Sequence, residues 1–250
     1  MDMPRRVGDR IGRLIGAPEG SVVMGDTLTI KVYQALASAV EMRPGRRVIL
    51  SDSGNFPSDL YMADGLIRTL DRGHELKIVA PEEVADHIDE TVACLMLTEV
   101  DYRTGRRHDM PALTAKAHEK GALAIWDLAH SAGALPVDVT SGGADFAVGC
   151  TYKYLNSGPG GPAFIYVAPS ITDEVRPALS GWLGHEAPFA FDLDYRRGFV
   201  FRGPIKPETR AVLPRRQGRG LRVRKAAKLD AGWFRDRTAA VPELLAGAVH

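Results

Sequence analysis

The chain has 250 residues, 45% of them hydrophobic and 25% charged, and a formal net charge of +1. This balance fits a soluble globular protein and gives the molecule as a whole no electrostatic bias toward nucleic acid or acidic membranes. No run of about 18 apolar residues and no charged-then-apolar leader is visible, so a cytoplasmic protein that does not bind membranes is expected.

The first stretch, "RRVGDRIGRLIGAPEG", carries Val7, Ile11, Leu14 and Ile15 at helical spacing and stops at Gly16 and Pro18. "SVVMGD" reads as a short strand, and "TLTIKVYQALASAV" as a helix with Ile30, Tyr33, Leu36, Ala37 and Val40 on one face. A strand "RRVILSD", a Gly-Asn-Phe-Pro turn and a helix "SDLYMADGLIRTLDRG" follow. "HELKIVA" is a strand, "PEEVADHID" a short helix opened by Pro81, "VACLMLTEV" an apolar strand and "MPALTAKAHEKG" a helix ended by Gly121. "ALAIWDLAH", "ADFAVGCTYK" and "GPAFIYVA" are three more strands. Cys94 and Cys150 sit in apolar runs and read as buried thiols, with no metal-ligand spacing around them.

Strands and helices thus alternate, and several strands are apolar throughout. This predicts an α/β fold: a mostly parallel, seven-stranded-type sheet with helices on both faces. In such sheets ligands sit beyond the carboxyl ends of the strands. The polar residues there are Ser51 to Asp59, Thr98, Asp127, His130 and Thr151 to Lys153.

Lys153 follows an apolar strand, lies between Tyr152 and Tyr154, and precedes the turn "NSGPGGP". Either its stem packs on the sheet edge and its amine reaches solvent, or the amine is partly desolvated. Desolvation favours the neutral, nucleophilic form, which attacks carbonyls such as a substrate ketone or the aldehyde of pyridoxal phosphate. Asp127 favours the second carbonyl. A carboxylate at the end of an apolar strand needs a cationic partner or several donors, and a pyridinium nitrogen is such a partner. Alone, Asp127 would instead cap a turn with His130 or a backbone amide. "GDTLTIKV" supplies a helix N-terminus whose first amides belong to Leu28 and Thr29. It is either a phosphate site or an ordinary threonine N-cap. Tyr152 could offer its hydroxyl to the same phosphate, and Phe56 in "NFPSD" could stack on a ring with Asp59 nearby. The glycines of "NSGPGGP" do not match a nucleotide loop and serve a tight turn beside the lysine.

Taken together, "GNFPSDLYMADGL", "MLTEVDYRTGRRHDM", "ALAIWDLAHSAGALPVD", "GADFAVGCTYKYLNSGPGGPAFIYV" and "LSGWLGH" resemble pyridoxal-phosphate enzymes of the aspartate-aminotransferase fold, and among them the kynureninases. The likeness covers about residues 5–195. A desulfurase-like lyase of the same class usually has histidine before its lysine, where this chain has Tyr152. The resemblance implies that pyridoxal 5'-phosphate is joined to Lys153, with Asp127 on the ring nitrogen and His130 close by. Tyr152 and the amides of Leu28 and Thr29 would hold the phosphate. Phe56 would stack on the ring, with Pro57, Ser58, Asp59 and Thr98 around it, and Trp182 would reach the site of a partner subunit in a homodimer. It implies hydrolysis of L-kynurenine, or its 3-hydroxy form, to the corresponding anthranilate and L-alanine, with Lys153, Asp127 and Tyr152 as catalytic groups.

The resemblance stops near Tyr195. Residues 1–195 read as the cofactor-binding large domain without the family's N-terminal arm, and 196–250 as an Arg-rich tail in place of a small C-terminal domain. From Arg196 to Lys225 the only acid is Glu208. Arg-, Gly- and Pro-rich text with little periodicity suits a frameshift around residues 195–200, a solvated linker or a nucleic-acid arm. The family's carboxylate-gripping arginine is not found, so weak or absent kynurenine cleavage is expected. The alternatives are an inactive cofactor-binding remnant, another enzyme of the same class such as a desulfurase-like lyase, and a basic-tailed binding protein.

Overall fold

A computed structural model describes residues 3–196. The expectations for the tail beyond Arg196, including the frameshift, fall outside the described residues.

Seven strands form one sheet: β1 (Val22–Met24), β2 (Val48–Asp52), β3 (Glu75–Val79), β4 (Val92–Thr98), β5 (Leu123–Asp127), β6 (Phe146–Cys150) and β7 (Ala163–Val167). Their order is β1-β7-β6-β5-β4-β2-β3. β2 to β6 pair in parallel, as the continuous apolar runs predict. β7 alone is reversed, pairing antiparallel with both β6 and β1. β1 therefore points the same way as the parallel strands. β2, β4, β5, β6 and β7 are buried along their whole length, whereas edge strand β3 is half-exposed.

Four helices accompany the sheet: α1 (Met3–Leu14), α2 (Leu28–Met42), α3 (Pro57–Leu70) and α4 (Met110–Glu119). α1 buries Ile11 and is followed by buried Ile15, but Leu14, expected inside, is 56% exposed. The buried face of α2 is also rotated from the expected one. Val32, Ala35, Leu36, Ala39 and Val40 are buried, while Ile30 and Tyr33 are only half-buried. Ala35 and Ala39 are fully buried together with the larger Val32, Leu36 and Val40. The short helix expected after Pro81 is a 3-10 turn over Val84–His87.

Two glycines show how tightly the layers fit. A Cβ on buried Gly8 of α1 would lie 2.1 Å from the carbonyl oxygen of Val22, so α1 rests directly on the β1 backbone. A Cβ on Gly65 in α3 would meet nothing within 4 Å. Gly8→Ala is expected to destabilise the fold by about 1–3 kcal/mol through overpacking. Gly65→Ala is expected to stabilise it by about 0.5–1 kcal/mol through lost backbone freedom in the unfolded chain. Urea midpoints of the two variants should move in opposite directions.

Candidate active site

The carboxyl ends of the central strands gather the polar residues. Asp127 ends β5, pairs with Thr98 on β4 and Val148 on β6, and is 2% exposed. Its Oδ1 accepts a hydrogen bond of 2.9 Å from the Ala129 amide, which is the turn-capping role open to it from sequence. Its Oδ2 has no partner among the described residues. Burial pushes the Asp127 carboxyl up to about 6, against the Ala129 amide and the charge of Lys153, which lower it. Asp59, in the first turn of α3, is 1% exposed, and its Oδ2 is also unmatched. Burial, and then the neighbouring charge of Asp127, hold the Asp59 carboxyl well above the ordinary carboxylate range.

Lys153 lies in the loop from β6 to β7. The loop is closed by Ser157 N donating to Thr151 O (3.0 Å), by Asn156 N donating to Lys153 O (3.1 Å), and by a 2.7 Å contact between the Thr151 and Ser157 hydroxyls. Gly158 and Gly160 adopt φ of 79° and 80°, a region glycine enters without cost. The tight glycine turn expected beside the lysine is therefore present.

Lys153 Nζ lies 2.7 Å from His130 Nε2. Burial first, and then the Lys153 charge, lower the imidazole to about 4. At neutral pH His130 is thus uncharged and can accept a proton-bearing bond from the amine through one ring nitrogen. His130 Nδ1 has no partner among the described residues. The same amine sits 5.3 Å from the centre of the Phe56 ring and 5.8 Å from that of Tyr152, distances at which an ammonium is drawn to an aromatic face.

Phe56 occupies the N-cap position of α3 in extended conformation and Pro57 follows inside the helix. Phenylalanine cannot cap, so the turn is secured one residue earlier. Asn55 Oδ1 accepts from Phe56 N at 2.7 Å, and its Nδ2 donates to Ser51 Oγ and Met96 O at 3.0 and 3.2 Å. The Phe56 ring is thereby presented to the site, not used as core.

A second loop, after β4, closes the far side. It is pinned by consecutive basic residues on two carboxylates that are 0% exposed, Asp52 and Glu99. His108 Nε2 and Arg106 Nη2 lie 2.6 and 3.3 Å from Asp52 Oδ2, and Arg107 Nη2 lies 2.8 Å from Glu99 Oε1. The tip of this loop carries Tyr102. Its ring stands edge-on to Phe56 with centroids 5.1 Å apart. It lies nearly parallel to His130, 5.9 Å away. The sequence reading missed Tyr102 and this anchor. The available signal was "DYRTGRRH", a glycine turn with four basic residues next to a strand end.

The other expected site residues fall as follows. Leu28 and Thr29 open α2, with Thr27 as N-cap accepting from Ile30 N at 3.4 Å. Ala163 N donates to Asp26 O at 3.0 Å, and Ala163 pairs with Cys150. The α2 N-terminus therefore lies at the same edge as the Lys153 loop. Tyr152 is 43% exposed, and burial together with the Cys150 thiol raises its hydroxyl to about 12. Ser58 Oγ lies 3.4 Å from Asp59 Oδ1. Thr98 is at the edge, but its hydroxyl is turned to backbone carbonyls, 3.2 Å from Val100 O. Trp182 stands apart, 55% exposed, stacked on Phe191 and edge-on to Phe189. Both cysteines are free and buried. Among the described residues there is no cluster suited to a metal and no helix long and apolar enough to cross a membrane.

A seven-stranded sheet with this order, and a lysine, an aspartate and a histidine converging at its carboxyl edge, define a class. Residues 29–186 match the aminotransferase class-V family model, and the chain belongs to that family. The kynureninase of Pseudomonas fluorescens is 52% identical over 199 residues, covering 78% of this chain and 48% of that protein. That of Burkholderia pseudomallei (strain 1106a) is 51% identical over 193 residues, covering 75% and 46%. The chain spans about half the length of the relatives it matches. Among solved structures, a C-DES mutant with glycine covalently linked to its PLP cofactor superposes with a TM-score of 0.66 at 15% identity, over 78% of this chain and 54% of that one. An apo cysteine desulfurase from Thermococcus onnurineus NA1 gives 0.63 at 20% identity, over 81% and 52%. These structural likenesses establish the fold.

The unmatched carboxyl has a measurable consequence. An acid whose pKa is raised on folding favours the folded state at low pH. That advantage is lost as pH rises from the unfolded value of 3.8 through about 6. With no ligand bound, Asp127→Asn keeps the Oδ1 acceptor and removes the buried charge. It is expected to be more stable than the parent at pH 7.5 by up to about 3 kcal/mol, at about 1.4 kcal/mol per pH unit. The difference should shrink toward zero near pH 4, as read from urea denaturation at both pH values.

Proposed function

We propose that Lys153 carries pyridoxal 5'-phosphate and that the site hydrolyses the side chain of L-kynurenine, or its 3-hydroxy form, to the matching anthranilate and L-alanine. The observation that carries the reading is Asp127 Oδ2, a buried carboxyl oxygen at the end of β5 with no donor among the described residues. A protonated pyridine nitrogen would satisfy both its charge and its hydrogen bond. The names of the relatives at about half identity support the substrate.

Bound pyridoxal phosphate supplies an aldehyde for an amine and a ring that stores the electrons of a breaking bond. The chain's own residues do the rest. Lys153 Nζ would be the attachment point, and as a free amine it would take and return the proton at the substrate α-carbon. Neutral His130 accepts from that amine and holds it in position. Asp127 Oδ2 would hold the protonated pyridine nitrogen, and Phe56 would pack on the ring. The free amides of Leu28 and Thr29 and the Tyr152 hydroxyl bind the phosphate, as helix N-termini bind anions. Pro57 and Ser58 start the helix that supports Asp59 beside the ring. Water and kynurenine balance anthranilate and alanine.

The same reading takes residues 1–195 as the cofactor-binding domain of a cytoplasmic homodimer. The exposed apolar strip of Trp182, Phe189, Phe191 and Leu193 supports a partner surface there, at 55, 57, 74 and 99% exposure.

Pyridoxal phosphate added to the purified chain is expected to give an absorbance band that borohydride fixes to the peptide containing Lys153. Lys153→Ala should abolish the band, and unchanged absorbance in that variant would sink the assignment. Kynurenine should perturb the band, with any anthranilate released detected by its fluorescence. A band that responds to cysteine and not to kynurenine would favour a desulfurase-like lyase instead.

A further inference from the structure

We propose that Tyr102 is a contact residue for the aryl group of the substrate, an inference that rests on the function proposed above. Tyr102 touches both residues that flank the Lys153 amine: its ring is 5.1 Å from Phe56 and 5.9 Å from His130, centre to centre. His130 is itself 2.7 Å from Lys153 Nζ. Yet 43% of Tyr102 is exposed, so the ring is not held there as core.

Its position is fixed by what surrounds it. The base of its loop is tied to the buried carboxylates of Asp52 and Glu99, and Asp101 N donates to Arg106 O at 2.9 Å. Arg103 holds the tip from outside, donating to Ser53 O at 2.8 Å with its guanidinium carbon 5.6 Å above the Tyr102 ring. An exposed aromatic ring immobilised beside a reactive amine loses little freedom when a planar ligand packs on it, which is the condition for productive stacking. The ligand chemistry that fits is a flat, neutral aryl group attached to an amino acid. The ring meets it through packing, so the hydroxyl is dispensable.

The test uses the full chain loaded with pyridoxal phosphate and two probes, anthranilate followed by its own fluorescence and L-alanine followed by the cofactor absorbance. Tyr102→Ala is expected to weaken anthranilate binding about 2- to 10-fold, the range of one aromatic pair. The alanine titration should be unchanged, and Tyr102→Phe should bind anthranilate like the parent. Equal anthranilate affinity in parent and Tyr102→Ala would overturn the inference alone. Loss of anthranilate and alanine binding together would also overturn it, by showing that the ring merely supports the loop. A parent that carries cofactor on Lys153 but binds neither anthranilate nor kynurenine would remove the proposed function, and this inference with it.

Discussion

A carboxylate buried at the end of an apolar strand must be answered by something. In this protein one oxygen of Asp127 is answered by the Ala129 amide and the other by nothing among the described residues. The requirement propagates outward. A group raised to about 6 by burial destabilises the fold near neutrality unless a cation arrives. Asp59, the second buried carboxyl, feels the first and is raised with it. The site is therefore acidic and unfinished on one side. On the other it offers a lysine amine, a neutral imidazole and aromatic rings. That polarity suits the ligand proposed above, which has a basic ring nitrogen and a carbonyl.

The sheet makes the arrangement affordable in structural terms. Five strands buried on both faces place their ends in one row, so residues far apart in sequence meet without a dedicated scaffold. Asp127 and Thr98 are partners on adjacent strands. Asp59 arrives on α3, directly after β2. The buried anchors Asp52 and Glu99 extend the same logic: charge at a strand end, neutralised by the loop that follows, sets the height of Tyr102 above the site.

Much of this was legible from the residues. Continuous apolar runs gave the parallel sheet, and the polar residues after them gave Asp127, His130 and Lys153. What was not legible has physical causes. Of the α2 face that periodicity selected, Leu36, Ala37 and Val40 are buried but Ile30 and Tyr33 are only half-buried, while Ala35 and Ala39, which carry little hydrophobic signal, are fully buried. An apolar run does not encode strand direction, so the reversal of β7 was invisible. Thr98 looked like a site hydroxyl because it ends a strand, yet backbone carbonyls beside it compete successfully for its proton. Tyr102 was missed because an aromatic residue in a polar loop has no periodicity, and its place depends on ion pairs spanning more than 50 residues, from Asp52 to Arg106.

The reversed strand bears on the mechanics of Lys153. Because β7 runs back beside β6, Cys150 and Ala163 face each other, and the intervening segment is a short closed ring of chain fastened at both ends to the sheet. Its internal bonds, from Thr151 to Ser157 and from Lys153 to Asn156, leave little slack. The backbone at Lys153 thus belongs to a loop bonded within itself and anchored to the sheet at both ends. Rotation about the four-carbon side chain is then a route by which the amine can leave His130 and return. Such rotations are fast, on picosecond to nanosecond scales where side chains are free. Exchange of the amine between its partners does not have to wait for a loop to open.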